Sequence, residues 1–294
     1  MQTRQDFQLF VRDDGSTDGT VEMLHEEVSR RPGRIHVMVD NLARLGPKSS
    51  FATLLQRAEA RWIAFCDQDD QWMPDKLARQ TDALERLEAT YGTATPLLCC
   101  SDAAVTDAHL HITAPSYFAK HCISTANGRD LVLPRLLFRN YAIGATTMIN
   151  TALARRCSPM PDEAIMHDWW CALVARVSGQ SVVLQDALIR YRQHGRNAVG
   201  SPERPIPRTV VELKAVIERA QFNSARCVRQ AQALHRTALT FPDEVAPAID
   251  DVLRHYASFT SLSRLQRAST MLRTHAFKPG MALNALHLYA CVTA

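Results

Sequence analysis

Trp62-Ile-Ala-Phe-Cys66, followed at once by Asp67-Gln-Asp-Asp-Gln-Trp72, is the stretch whose reading decides the fold. Ile63 to Cys66 is short, apolar and β-favouring, which predicts a buried strand. Asp67, Asp69 and Asp70 at its carboxyl end repel one another unless something cationic sits among them. In open α/β sheets, ligands bind beyond the carboxyl ends of the strands. A hard divalent cation bridging carboxylates and substrate phosphates suits such a cluster. The competing reading is a polar strand-to-helix loop, with Asp70 or Asp75 capping a helix that begins near Pro74. The strand in front and Trp72-Met-Pro-Asp-Lys76 behind favour chemistry.

Outward from this junction the pattern alternates. Phe7 to Arg12 predicts a strand, Val21 to Ser29 a helix, Ile35 to Val39 a strand and Phe51 to Ala60 a helix. A helix from Pro74 to about Ala89 follows, then strands at Pro96 to Val105 and Ala145 to Ile149. His167 to Val177 reads as a helix and Gln180 to Leu184 as a short strand. Strand–helix alternation of this kind predicts a parallel, doubly wound sheet. At Ser201-Pro-Glu-Arg-Pro-Ile-Pro207 the texture becomes that of a linker. Val210, Leu213, Ile217 and Ala220 then keep a helical period. The expected division is an α/β region over 1–200 and a helical, basic extension over 201–294.

The chain has 294 residues, 46% apolar and 22% charged, an ordinary globular composition. Its 8 cysteines form no C-x-x-C pair and sit mostly in apolar stretches, as small buried hydrophobes of a reducing compartment do. No signal-peptide pattern opens the sequence and no apolar stretch is long enough to span a bilayer, so a cytoplasmic setting is expected. The net charge of +4 is unevenly spread. After Asp251 there is no acidic residue, while Arg254, Arg264, Arg267, Arg273 and Lys278 follow. Met281, Leu283, Leu286 and Tyr289 then share a helical face. A basic segment before an apolar-faced helix suits an anionic membrane surface, as peripheral attachment to the inner face of the cell membrane. A helix docked on the protein's own core fits the same pattern. The basic residues do not interleave with aromatics, so nucleic acid is not an expected partner.

Three further segments carry candidate chemistry. Asp13-Asp-Gly-Ser16 lies at a strand end, where Asp13 or Asp14 can accept hydrogen bonds from a base or a ribose hydroxyl. Ser16 and Asp18 equally suit the cap of the next helix. Asp168, in Met166-His-Asp-Trp-Trp170, reads either as a general base beside two indoles or as a helix cap in front of core tryptophans. Tyr191-Arg-Gln-His-Gly-Arg-Asn197 offers His194 as a metal ligand and Arg192 and Arg196 as diphosphate contacts.

In order, these segments resemble the large inverting family 2 of glycosyltransferases, with its nucleotide-sugar-binding GT-A fold, and most closely its bacterial rhamnosyltransferase-like branch. The resemblance rests on Asp13-Asp-Gly-Ser-Thr-Asp-Gly-Thr20, Asn41-Leu-Ala-Arg-Leu-Gly-Pro-Lys-Ser-Ser-Phe51 and Cys66-Asp-Gln-Asp-Asp-Gln-Trp-Met-Pro-Asp-Lys-Leu77. Gly144-Ala-Thr-Thr-Met148, Met166-His-Asp-Trp-Trp170 and Tyr191-Arg-Gln-His-Gly195 complete it. It implies a Rossmann-like mixed, mostly parallel sheet flanked by helices, with a helical C-terminal extension. It further implies that Asp14, with Asp13, contacts the nucleoside. Asp67 and Asp69 would hold Mg²⁺ or Mn²⁺ with His194, Asp69 the more direct ligand, and Arg192 and Arg196 would meet the donor diphosphate. Asp168 would deprotonate the acceptor hydroxyl. The partners so implied are a dTDP- or UDP-sugar, plausibly carrying rhamnose, and a cell-surface polysaccharide or lipid-linked glycan acceptor.

Two departures accompany the resemblance. Family members begin with a further strand that walls the nucleoside pocket, and its absence predicts an N-terminally truncated domain with an exposed sheet edge. Ser50 stands where relatives usually carry Asn. The alternative expectation is therefore a catalytically impaired remnant, or pseudo-enzyme, acting as an interaction module. A sugar nucleotidyltransferase also places carboxylates on an α/β sheet, but the His-Asp-Trp-Trp and Tyr-Arg-Gln-His segments favour the transferase.

Overall fold

Alternating residues in Phe7 to Arg12 give β1 (Leu9–Arg12), which runs parallel to β2 (Ile35–Met38), with Arg12 opposite Met38. Helix α1 (Thr20–Arg30) makes the crossover. In this computed structural model the described residues are 1–38, 40, 44–125, 128, 131–193, 210–274 and 281–293. Within residues 1–38 the one buried residue is Arg12. The unit thus holds together with almost no apolar interior.

Helix α2 (Gly46–Gln56) begins several residues before the predicted Phe51. The apolar period starts at Phe51, but Pro47 at the first turn has its φ preset for a helix. The acidic junction divides into β3 (Trp62–Ala64), a turn, and the two-residue β4 (Gln71–Trp72). Helix α3 (Lys76–Tyr91) follows, with Asp75 at its N-cap making no side-chain cap bond. Capping therefore does not account for Asp70 or Asp75.

The main sheet is built on β5 (Leu97–Thr106), every residue of which is buried. Its unbroken apolar start, Leu97-Leu-Cys-Cys100, is what a strand covered on both faces requires. β6 (Ile112–Ala114), β7 (Thr147–Asn150) and β8 (Gln180–Arg192) complete the sheet, in the order β3-β7-β5-β8-β4 with β6 on β5. The sheet is mixed as expected, but parallel pairing is not in the majority. Among the described residues only β1–β2 and β5–β8 run parallel. The pairs β3–β7, β4–β8, β5–β6 and β5–β7 are antiparallel. The connection Asp107 to His111 is too short for a parallel crossover, so β6 folds straight back. β8 extends far beyond the predicted Leu184. Ser101 faces Leu184 while Asp102 faces Ala187, so polar Gln185-Asp186 sits in a register shift and the ladder resumes after it.

Short helices α4 (Tyr117–Lys120), α5 (Leu133–Leu136) and α6 (Thr151–Arg156) edge the sheet, and α7 (His167–Ser178) covers one face. The extension comprises α8 (Val210–Ala238), α9 (Pro247–Ala257), α10 (Arg264–Arg273) and α11 (Met281–Thr293). Cys227, Val228 and Leu234 of α8 join Trp170 and Leu173 of α7 in one buried apolar cluster. Helix α11 packs on α8 and α10 and buries Ala290 and Cys291. Its inward face is thus docked on the protein itself.

Candidate active site

A cavity of about 2070 Å³ opens between β1, β3, α2 and the start of α7, and Asp14, Asp67, Asp69 and Asp168 all line it. Four carboxylates from three separated segments therefore share one space.

Asp14 lies two residues beyond the end of β1. Its carboxylate accepts the N–H groups of Leu45 and Gly46, each at 2.8 Å, and so caps α2 from outside, where outward N–H groups favour an anion. The buried Arg12 guanidinium donates to Asp14 at 2.5 Å, to both oxygens of Asp40 at 2.8 and 3.1 Å, and to the Ser50 hydroxyl at 2.9 Å. Desolvation pushes the Asp14 carboxyl up, but Arg12 and the two N–H groups prevail and hold it below the usual range. The side chain keeps 34% of its exposure, so an edge remains open to a ligand. Asp13 turns away instead. It accepts the N–H groups of Ser16 and Gly15, both at 2.9 Å, and is held low first by the Ser16 hydroxyl. Gly15 has φ +92, which that turn requires. The pair expected to contact a nucleoside thus divides into one cavity residue and one turn-shaping residue.

The acidic turn is clamped from β8. The Arg192 N–H donates to Asp70 Oδ1 at 2.9 Å, and its guanidinium donates to the carbonyls of Asp69 and Ala108 at 2.8 and 3.0 Å. Arg192, expected at a diphosphate, directs these donors to backbone. Loss of hydration and then the Asp69 charge lift Asp67 to about 6. Burial lifts Asp70 to about 7 against the Arg192 N–H, and its Oδ2 is buried without a hydrogen-bond partner. His194 and Arg196 lie outside the described residues.

Asp168 sits in the first turn of α7, 7% exposed, behind an N-cap at Met166. It accepts the Trp169 N–H at 2.5 Å. Burial raises it to about 7, with the Asp67 charge adding to this and the N–H groups of Trp169 and Gly144 opposing it. A group titrating there is matched to general-base work near neutrality. Beside it, His167 stacks on Phe51 at 4.0 Å and meets Phe65 edge-on at 4.8 Å. Burial pulls His167 down to about 3, so it is a neutral ring at physiological pH. A Cβ on Gly144 would fall 3.0 Å from His167 Nε2 and 3.6 Å from Asp168 Oδ2. Gly144 is thus what lets the turn before β7 approach the carboxylate.

Sequence reasoning gave no role to Arg12, Tyr117, Tyr191 or Lys76. Tyr117 and Tyr191 meet edge-on at 5.9 Å and both line the cavity. Arg12 carried a readable signal, a cation directly before two aspartates in a strand otherwise apolar at that end.

The donor set fits a hard divalent ion. Asp67 and Asp69 supply carboxylate oxygens, and the lift of Asp67 is the kind that a nearby cation reverses. Among the described residues no three His, Cys, Asp or Glu side chains converge as a cage. An ion held by two carboxylates would take its remaining ligands from water and substrate phosphates, as Mg²⁺ commonly does.

Residues 1–122 match the family described as Glycosyl transferase family 2. An uncharacterised protein of Mycobacterium tuberculosis is 25% identical over 191 residues, covering 64% of this chain and 50% of that protein. The putative teichuronic acid biosynthesis glycosyltransferase TuaG of Bacillus subtilis is 29% identical over 110 residues, covering 37% and 43%. The chain thus spans about half the length, or less, of these curated relatives. Among solved structures, S. aureus TarS 1-349 in complex with UDP-GlcNAc superposes with TM-score 0.53 at 15% identity, over 99% of this chain and 83% of that one. The mannosyltransferase PcManGT from Pyrobaculum calidifontis, in complex with GDP-Man and Mn²⁺, gives 0.50 at 16% identity, over 97% and 77%. The fold is the GT-A-like mixed α/β arrangement of these structures, with its helical C-terminal region.

Proposed function

We propose that this chain, whose residues 1–122 match the family described as Glycosyl transferase family 2, transfers a sugar from a nucleotide-diphosphate donor to a hydroxyl of a glycan or lipid-linked acceptor. The observation that carries the reading is the cavity shared by Asp14, Asp67, Asp69 and Asp168, with Asp168 buried and lifted to about 7. In this reading Asp14 accepts from the nucleoside. Asp67 and Asp69 hold Mg²⁺ or Mn²⁺, which when bound offsets charge on the leaving diphosphate. Asp168 takes the acceptor proton, and attack opposite the leaving group inverts the anomeric centre without a covalent enzyme intermediate. The similarity to a putative teichuronic acid biosynthesis glycosyltransferase, and to structures in complex with UDP-GlcNAc or with GDP-Man and Mn²⁺, supports a sugar nucleotide as donor. Within that class our reading is dTDP-rhamnose. The test is release or transfer of sugar from dTDP-rhamnose, UDP-GlcNAc and GDP-mannose with and without Mn²⁺. Asp69→Ala should abolish turnover and Asp168→Asn lower it by about 10²-fold or more, and normal rates in both variants would reject the role assignment.

A second reading rests on the break between the two sheets. Among the described residues β1 pairs with β2 and β3 with β7, while both β1 and β3 line the cavity. A further strand between them would make the sheet continuous. On this reading the 294-residue chain alone is an impaired remnant serving as an interaction module. Calorimetry with UDP or dTDP plus Mn²⁺ decides, because micromolar binding removes it.

The acceptor side of the reading places the extension at an anionic membrane surface. On α10, Leu265 and Leu272 are 85% and 52% exposed and are flanked by the exposed Arg264 and Arg273. No described helix is long and apolar enough to cross a membrane. Surface attachment is therefore the mode proposed.

A further inference from the structure

Lys76 is fully buried, and so is Gln80 one turn along α3. The Lys76 ammonium lies 3.8 Å from the centre of the Trp72 ring and 2.8 Å from Gln80 Oε1. Burial pulls the Lys76 amine down to about 7, with the Asp70 charge among the groups opposing this, so it is only partly charged near neutrality. A ring face and an amide oxygen compensate such a group poorly, and a methionine would fill the same space at lower free energy. Its geometry is informative. Trp72 ends the acidic turn and pairs through β4 with Ile189 of β8. On the other side, Gln80 Nε2 donates to the Thr146 carbonyl at 2.6 Å. Thr146 ends the 3-10 turn Gly144–Thr146, whose Gly144 lies against Asp168. The two turns meet in sequence nowhere, but these two side chains of one helix touch both.

We propose that Lys76 and Gln80 are positioning residues, a buried strut on α3 that sets the acidic turn of Asp67 to Trp72 at a fixed separation from the turn abutting Asp168. The Trp72 ring face meets its Lys76 end, a hydrogen bond from Lys76 to Gln80 joins its two members, and the Gln80 side-chain N–H donates to the Thr146 carbonyl at its other end. The inference deepens the transferase reading, in which those turns carry the leaving-group and acceptor stations. A misplacement of about 1 Å between such stations is enough to slow a displacement markedly.

The experiment uses the full chain with Lys76→Met, Lys76→Arg and Gln80→Met. Hydrogen exchange by mass spectrometry is read over 65–73, 143–148 and β5. Thermal midpoint, Mn²⁺-dependent UDP binding and, where turnover is present, kcat and KM accompany it. Lys76→Met should keep the wild-type midpoint or exceed it, while exchange rises about tenfold in both turns and not in β5. Turnover should fall through kcat with donor KM little changed, and Lys76→Arg, which can stack on Trp72, should recover part of it. Unchanged exchange in both turns, or a rise spread equally through β5, would overturn the strut. If Lys76→Met does not fold, Gln80→Met cuts the same link with the cation in place, and unchanged exchange there overturns it equally. Failure of the wild-type chain to bind any nucleotide would reject the transferase reading, while the exchange measurement still decides the strut.

Discussion

The unit β1–α1–β2 and the sheet around β5 carry stations of the same cavity, but they cohere by different physics. In β5 all positions are buried and Leu97, Leu98, Cys99 and Cys100 are wholly excluded from solvent. In residues 1–38 the only buried side chain is a guanidinium, and Phe7, Leu9 and Phe10 stand 39, 37 and 44% exposed. One half is held by apolar packing, the other by Arg12 between Asp14 and Asp40 and by the capping of α2. The half expected to read the nucleoside is therefore soft and charge-organised, while the half expected to do chemistry is stiff. Local opening should follow the same division.

The largest effect that bears on this contrast is at Asp168. Asp168→Asn should lower kcat by about 10²- to 10⁴-fold with the fold intact, measured as transfer rate beside circular dichroism. Its ionisation gives the sign of the pH profile. The rate rises as pH passes about 7 and levels above it, and a flat profile from acid to alkaline pH would remove Asp168 as the base. Stability runs the other way. With the folded group lifted from 3.8 to about 7, its contribution is complete below about pH 4 and is lost as pH rises through 7. Asp168→Asn should therefore flatten that part of the dependence of Tm on pH.

Next come paired truncations. Leu98→Ala should cost about 2–5 kcal/mol in urea unfolding, and Phe10→Ala about 1 kcal/mol or less. Equal costs would erase the distinction between the halves. Arg12→Met should cost about 2 kcal/mol. Faster exchange should be confined to 9–12 and 35–38; a rise that reaches β5 would show the halves to be one cooperative unit. The smallest effect is expected at the surface. Leu265→Ser with Leu272→Ser should reduce flotation with anionic liposomes several-fold at low salt, and a wild-type chain that does not float counts against the membrane reading.

Much of this was legible in the sequence where local signals and tertiary demands agree. The strand before Asp67 and the helices behind Pro74 and Ser16 follow from apolar runs ending in polar loops, while the grouping of Asp14, Asp67, Asp69 and Asp168 was implied by the family resemblance alone. What escaped was decided by pairing partners far away. β8 continues past Gln185-Asp186 because β5 offers a second register, and no local pattern announces that. β7 runs antiparallel to both β3 and β5, a direction that its own residues do not announce. Arg192 was expected at a donor diphosphate, and nothing in its own segment announces that its Nε and Nη1 donate to the carbonyls of Asp69 and Ala108. Ser50, one of the two departures from the family pattern, accepts from Arg12 inside the buried network.

β5 also bears on how such a molecule could change its preferences over time. Asp168's neighbouring turn enters the sheet through β7, and the acidic turn is tied to β8 through Asp70 and Arg192. Both stations therefore hang from the two edges of one strand, which works as a gauge of fixed length. Altering that gauge means repacking the interior, so new specificities are more readily reached by exchanging material at its rim. The connection Asp107 to His111 is a part a lineage can rewrite, or an engineer can graft, while the distance between the two turns stays as it was.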